Sequence, residues 1–232
     1  SFNLKKLMLY NDKRSYMKSF LLIGLGKFGF TLAKELLDMG SEVMVVDKDE
    51  KKINQYAPLF THALSANCMN EDNLKSFNIP SFDACIVAIG DDFQSSLEIT
   101  SLLKDLGAQY VVSKATTDIQ KKFLLRNGAD EVVYPDKDCA EKLAVTVNTD
   151  SIYDFFELDS KHCIFEIEIP SDWAGKTIST VNIRKKYKLN VLMVKKKEEI
   201  VSSIDGEYVF DENDHIVVFG EKESMLKVGN MK

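Results

Sequence analysis

The chain has 232 residues, 45% of them hydrophobic, which permits a substantial core in one large domain or two small ones. Its formal net charge of −6 argues against a nucleic-acid-binding surface, and no apolar run approaches the ~18 residues of a membrane span. The four cysteines and three histidines show neither disulfide nor metal-ligand spacing, and with no signal-peptide pattern at the start the expectation is a soluble cytoplasmic protein.

Residues 1–16 are polar and basic and precede any strand-like run, so they read as an N-terminal extension with Met17 as an alternative start. Phe20-Leu21-Leu22-Ile23 is the first apolar run. It passes into Gly24-Leu25-Gly26-Lys27-Phe28-Gly29, and Phe28, Leu32 and Leu36 then repeat at helical spacing. In this strand–glycine–helix order the first glycine permits a tight turn. The second lets the main chain approach a pyrophosphate, and the third lets helix and strand pack closely. The free N–H groups and positive end of such a helix attract phosphate. Lys27 in its first turn opposes the dipole at a cost of ~0.3–1 kcal/mol, which a bound phosphate removes.

Val43–Val46 is the second run, and Asp47 at its end can accept hydrogen bonds from both ribose hydroxyls of a nucleotide. A carboxylate there disfavours a 2′-phosphate and makes NADP the poorest candidate. Lys48 follows it directly. Further apolar runs recur at Thr61–Leu64, Ala84–Ile89, Tyr110–Val112 and Glu131–Tyr134, with helical spacing between them. Gly40, Gly107 and Gly128 stand where C-terminal helix caps belong. The alternation predicts a Rossmann-like, doubly wound parallel sheet that binds ligand beyond the carboxyl ends of its strands. Gly24–Gly29, Asp47, Asn67, Gly90 and Lys114 all fall at or past such ends.

Asp138 to Asn148 reads as a helix leaving this first domain, which is expected to span 17–149. From 150 to 232 the rhythm changes. Cys163, Phe165, Ile167 and Ile169 alternate with polar residues as a half-exposed strand. Val181–Tyr187 looks helical, Val191–Val194 extended, Asp205-Gly206 carries a hairpin signal, and Ile216–Phe219 and Glu221–Val228 read as a buried strand and a closing helix. These make a small α+β lobe. Trp173 reads as packing, and the basic stretches Lys185-Lys186 and Lys195–Lys197 as solvated faces.

Several motifs in order carry a resemblance: Gly24-Leu25-Gly26-Lys27-Phe28-Gly29, Val46-Asp47, Ser65-Ala66-Asn67, Val87-Ala88-Ile89-Gly90, Val112-Ser113-Lys114-Ala115, Gly128-Ala129-Asp130 and Tyr134-Pro135-Asp136-Lys137-Asp138, then Gly175-Lys176-Thr177 and Ile183-Arg184-Lys185-Lys186-Tyr187. From Met17 to Lys227 the chain resembles the RCK-domain regulatory subunits of Ktr/Trk potassium-uptake systems, of the Ktr type because the unit occurs once. The resemblance implies a regulator and not an enzyme. It implies homodimers assembled into an octameric ring on the cytoplasmic side of a potassium-transporting membrane subunit, without insertion into the membrane. ATP and ADP, with NAD or NADH as alternatives, are implied at the glycine-rich site.

By the same resemblance Gly24, Gly26, Lys27, Phe28 and Gly29 take the phosphates. Lys27 stands where relatives often carry Arg, and a lysine keeps the charge but loses the bidentate fork. Asp47 takes the ribose, with Lys48 among the nucleotide-binding residues, Asn67 and Cys68 line the adenine pocket, Gly90 lies near the phosphates, and Lys114 supplies another positive charge or a structural ion pair. Asp136 would contribute to a divalent cation at the dimer interface. Ile183, Arg184 and Asn190 are implied in a cyclic di-AMP site of the second lobe. Read from residues alone, two other functions stay open: an NAD-dependent oxidoreductase on the same fold, and a nucleotide sensor serving another transporter.

Overall fold

The structure is a computed structural model that describes residues 17–149, 151–197 and 199–231. The expected extension 1–16 and Asp150, at the expected domain boundary, lie outside the described residues. Internal contacts divide the chain into two compact units, the first running to Asp136 and the second starting at Lys137.

In the first unit the apolar runs become strands whose ends shift by only a residue or two. These are β1 (Ser19–Ile23), β2 (Glu42–Asp47), β3 (His62–Ser65), β4 (Ala84–Val87), β5 (Val111–Lys114) and β6 (Glu131–Val133). All pair in parallel, in the order β3-β2-β1-β4-β5-β6. The connecting helices are α1 (Lys27–Asp38), α2 (Glu50–Tyr56), α3 (Glu71–Ser76), α4 (Phe93–Asp105) and α5 (Asp118–Arg126). Side chains of a strand alternate between faces, and both faces are covered here. Leu21, Ile23, Cys85 and Val87 pack with Leu74, Ile99 and Leu103 in one core. Their neighbours Leu22 and Ile86 pack with Ala33, Ile53 and Phe60 in another. Asp49, Asn70, Asp92 and Thr117 cap α2 to α5 through their side chains. Gly40, Gly107 and Gly128 take φ of +82°, +85° and +107° past the ends of α1, α4 and α5, the left-handed caps expected of them.

Helix α6 (Pro135–Asn148) begins three residues before the predicted start, with Pro135 in its first turn, where a missing N–H costs nothing. From Lys137 onward it groups with the second unit. That unit holds β7 (Ile152–Glu157), β8 (His162–Glu168), β9 (Asn190–Lys196), β10 (Glu199–Val201) and β11 (His215–Glu221) in an antiparallel sheet of order β10-β9-β11-β8-β7. The alternation read along Cys163–Ile169 is the burial pattern of β8. Trp173 lies in the core against Tyr187 and Phe210.

Two expectations need correction. The helix read over Val181–Tyr187 is two helices, α7 (Ile178–Val181) and α8 (Ile183–Tyr187), because Asn182 adopts the left-handed conformation at φ 56° and breaks the ladder. Asp205-Gly206 forms a turn, in which Asp205 Oδ1 accepts from the Glu207 N–H at 2.9 Å, but it joins no pair of strands. The hairpin is the adjacent one, with Glu199 of β10 opposite Lys196 of β9. Helix α9 (Lys222–Gly229) closes the chain as read.

Candidate functional site

The order of the first sheet reverses between β1 and β4, since the chain winds outward from β1 to β2 and β3 and then returns to β4. A crevice opens at such a switch point, beyond the carboxyl ends of the strands. A cleft of ≈ 190 Å³ lies there, lined by Gly24, Gly26, Asp47, Lys48, Asn67, Cys68 and Gly90 of the sequence-derived set. Its apolar floor is Ile23, Ala66, Ala88, Ile89 and Ile99.

The three glycines have different physical reasons. Gly24 has φ +102°, and a Cβ there would stand 3.2 Å from the Ala88 carbonyl carbon. Gly29 is packed so closely that a Cβ would lie 2.0 Å from the Gly24 carbonyl oxygen. Gly26 has an ordinary φ of −71°, and a Cβ would meet nothing within 4 Å. The fold therefore makes no demand for glycine at 26, whereas a ligand approaching the bare main chain at the start of α1 would. No side chain caps that helix, and its first turn holds no acid. Gly26→Ala is expected to change stability by less than about 1 kcal/mol, the scale of a helix-cap substitution. The same variant should weaken a pyrophosphate-bearing nucleotide about tenfold, because the methyl group occupies the approach path. Thermal denaturation and ADP calorimetry on one preparation check both halves.

Asp47 is only 7% exposed. Its Oδ2 accepts from the Leu25 N–H at 2.7 Å and its Oδ1 from the Asp49 N–H at 2.9 Å, while Lys52 Nζ stands 3.6 Å from Oδ2. The carboxylate thus pins the glycine-rich loop to the end of β2. With about four lone-pair sites, it keeps acceptor capacity for hydroxyls in the cleft. Cys68 is buried beside it. Desolvation first, and then the Asp47 charge, pushes its thiol up to about 12, so it lines the cleft as a neutral, unreactive group. Asn67 makes an Asx turn, its Oδ1 accepting from the Met69 N–H at 3.1 Å, and so shapes the loop as well as lining the cleft.

Lys27 is exposed in the first turn of α1. Phe28, half-buried, carries Lys114 Nζ 5.7 Å from its ring centroid. Gly90 makes room for that lysine, whose Nζ would stand 3.2 Å from a Cβ at position 90. Lys114 has no ion-pair partner among the described residues, which leaves a half-buried cation beside the end of β4. Lys48 pairs with Asp92 at 3.6 Å.

Asp136 is exposed in the first turn of α6, and among the described residues no three His, Cys, Asp or Glu side chains gather where they could hold a metal ion. In the second unit Arg184 is exposed on α8 and Asn190 opens β9 opposite Phe219. Ile183 is 1% exposed, with its side chain committed to the core, and so offers a ligand no apolar side-chain surface. The cleft also contains Lys52, Met69, Asp92 and Ser95, which sequence reasoning passed over. Asp92 had a visible signal as a capping acid ahead of an apolar helix. The other three had none, because no local pattern reveals which residues a crossover returns to one sheet edge.

Comparison with known proteins matches the TrkA-N domain at residues 20–135 and the TrkA-C domain at 164–231. The Ktr system potassium uptake protein C of Bacillus subtilis (strain 168) is 37% identical over 203 residues, covering 88% of this chain and 92% of the relative. The Ktr system potassium uptake protein A of the same organism is 36% identical, covering 92% of this chain and 96% of the relative. The GsuK RCK domain matches the fold with a TM-score of 0.64 at 16% identity, over 93% of this chain. The GsuK channel bound to NAD matches with a TM-score of 0.65 at 15% identity, over 91% of this chain. The chain spans less than half of those two larger structures, 48% and 38% respectively.

Proposed function

The chain belongs to the family of Ktr-system potassium uptake proteins built from a TrkA-N and a TrkA-C domain, and from that premise we propose that it is a nucleotide-sensing regulatory subunit. It works in the cytoplasm, as a homodimer assembled into a ring, and controls a potassium-transporting membrane subunit. The observation that carries the nucleotide reading is Asp47. It is buried at the end of β2, holds the glycine-rich loop through Leu25, and faces the cleft beside the uncapped start of α1. Adenosine fits with its ribose on Asp47 and its phosphates on Gly24–Gly29. Lys27 and Lys114 then offer charge to a terminal phosphate, which favours ATP and ADP as the ligands. Asp136 joins a cation only with oxygens from the phosphates or from a second copy of the chain.

A sensor fits better than an oxidoreductase. Hydride transfer needs a proton donor beside the nicotinamide. Among the described residues no histidine or tyrosine lines the cleft, and its two lysines are both paired with carboxylates, Lys48 with Asp92 and Lys52 with Asp47. Control requires that ATP and ADP differ in affinity for two arrangements of the assembly. Moving one protomer from 1:99 to 99:1 takes ~5.5 kcal/mol, and repetition around a ring lowers what each site must contribute.

The reading is tested by calorimetry of the purified chain with ATP, ADP, NAD, NADH and cyclic di-AMP. A second ligand site on the second unit, with Arg184 clamping a phosphate, adds one expectation. Arg184→Ala should leave ATP and ADP affinity within about twofold, the range of a site energetically independent of the cleft. It should also weaken cyclic di-AMP at least tenfold. Equal loss of both ligand classes in that variant rules out two separate sites.

A further inference from the structure

We infer that Lys48 and Asp92 form a strap that closes over the base of the bound nucleotide. The inference rests on the nucleotide reading of the cleft and adds a part to it. Lys48 directly follows β2, and Asp92 caps α4 after β4. In the sheet, β2 and β4 are the two neighbours of β1. Their ends are therefore two strand spacings apart, about 10 Å. The ion pair, Lys48 Nζ to Asp92 Oδ2 at 3.6 Å, joins the segments that follow those two strands, in the cleft that Asn67 and Cys68 also line. Both residues line the cleft.

The two ends of the strap are anchored differently. Asp92 is fixed: its Oδ1 accepts from the Ser95 N–H at 3.1 Å and its Oδ2 from the Ser95 hydroxyl at 2.6 Å. Those hydrogen bonds, the hydroxyl's first, hold its carboxyl below the usual carboxylate range, so it stays ionised. Lys48 is exposed on a flexible stem and can swing away. The same cleft has an apolar part, to which Ala66, Ile89 and Ile99 contribute. An apolar slot under a cation suits a flat, neutral, π-rich group, which is the base and not the phosphates. An ammonium over such a face gains cation–π attraction. The strap thus marks which end of the nucleotide lies between β2 and β4, and it opens on the Lys48 side to admit the base.

The test is the dissociation rate of ADP from the immobilised full chain at low temperature, in a double-mutant cycle. Lys48→Met removes the charge at an exposed position and keeps a long side chain. Asp92→Asn removes the charge and keeps a good helix cap. Each single variant is expected to release ADP about three- to fivefold faster, the most a surface ion pair sustains. The double variant should be no faster than the quicker single, because both changes remove one interaction. Unchanged rates, or effects that multiply in the double variant, overturn the strap while leaving the nucleotide site standing. A wild-type chain that binds no ADP removes the nucleotide reading and the strap with it.

Discussion

Gly29→Ala is expected to lower stability by about 3 kcal/mol, a loss of roughly 10 °C in the melting temperature of a unit this size. Alanine is the better helix former by up to ~1 kcal/mol, so helix propensity alone gives the opposite sign. Packing decides. The added methyl carbon would stand 2.0 Å from the Gly24 carbonyl oxygen and 3.0 Å from Ala88 Cβ. The nearest atom is main chain, so no side chain can rotate away. Relief requires α1 to lift from the loop that ends β1, and that loop is held by the Gly24 N–H donating to the Val46 carbonyl at 2.8 Å and by the Leu25 N–H donating to Asp47. Displacing α1 also moves the phosphate-facing N–H groups, so nucleotide affinity should fall together with stability. Gly26→Ala, only three positions away, should spare stability and lose affinity alone. Scanning calorimetry with and without ADP separates the two variants. If Gly29→Ala melts within about 2 °C of the wild type, the close approach of helix and strand is not what fixes this glycine.

That contrast also shows what was legible in the sequence. The glycine motif, the apolar runs and Asp47 are local patterns, and they gave the first unit's strands to within two residues because the central strands β1, β2 and β4 are buried and so read as near-continuous apolar runs. The different duties of Gly24, Gly26 and Gly29 were readable from the motif; the structure gives a geometric cause for Gly24 and Gly29 and leaves position 26 free of any demand from the fold. The second unit was harder. Strand β7 was missed because Ile152–Glu157 carries Tyr153, Phe155 and Phe156 among acids, with no clean alternation at a sheet edge. The break at Asn182 was invisible because a left-handed asparagine between Val181 and Ile183 leaves the helical spacing of the apolar positions intact. Ile183, implied in a ligand site by resemblance, has its side chain in the core, and Tyr187, four residues on, packs on Trp173. Lys52 reaches the cleft from the crossover after β2, and Asp92 and Ser95 from the one after β4, so only the three-dimensional winding brings them together.

Asp47→Ala should cost nucleotide affinity at least ~100-fold, the larger loss of binding expected from any single change in the cleft. Two effects combine. The first is direct: a carboxylate accepting from two ribose hydroxyls makes charge-assisted hydrogen bonds worth ~1.5–3 kcal/mol each, and alanine makes none. The second passes through the loop. Leu25 is 3% exposed, and without Asp47 Oδ2 its N–H loses the acceptor at 2.7 Å. An orphaned buried N–H costs ~1–3 kcal/mol, so the glycine-rich loop must rearrange or the fold must bear that loss. Asp47→Asn divides the contributions. Its amide oxygen can still accept from Leu25, which should recover most of the stability, but it offers one acceptor where the carboxylate offered two oxygens. The asparagine variant is therefore expected to melt close to wild type and still bind ADP weakly. Recovery of affinity together with stability would show that Asp47 acts only by holding the loop. Binding by the alanine variant within about threefold of wild type would remove the ribose role altogether.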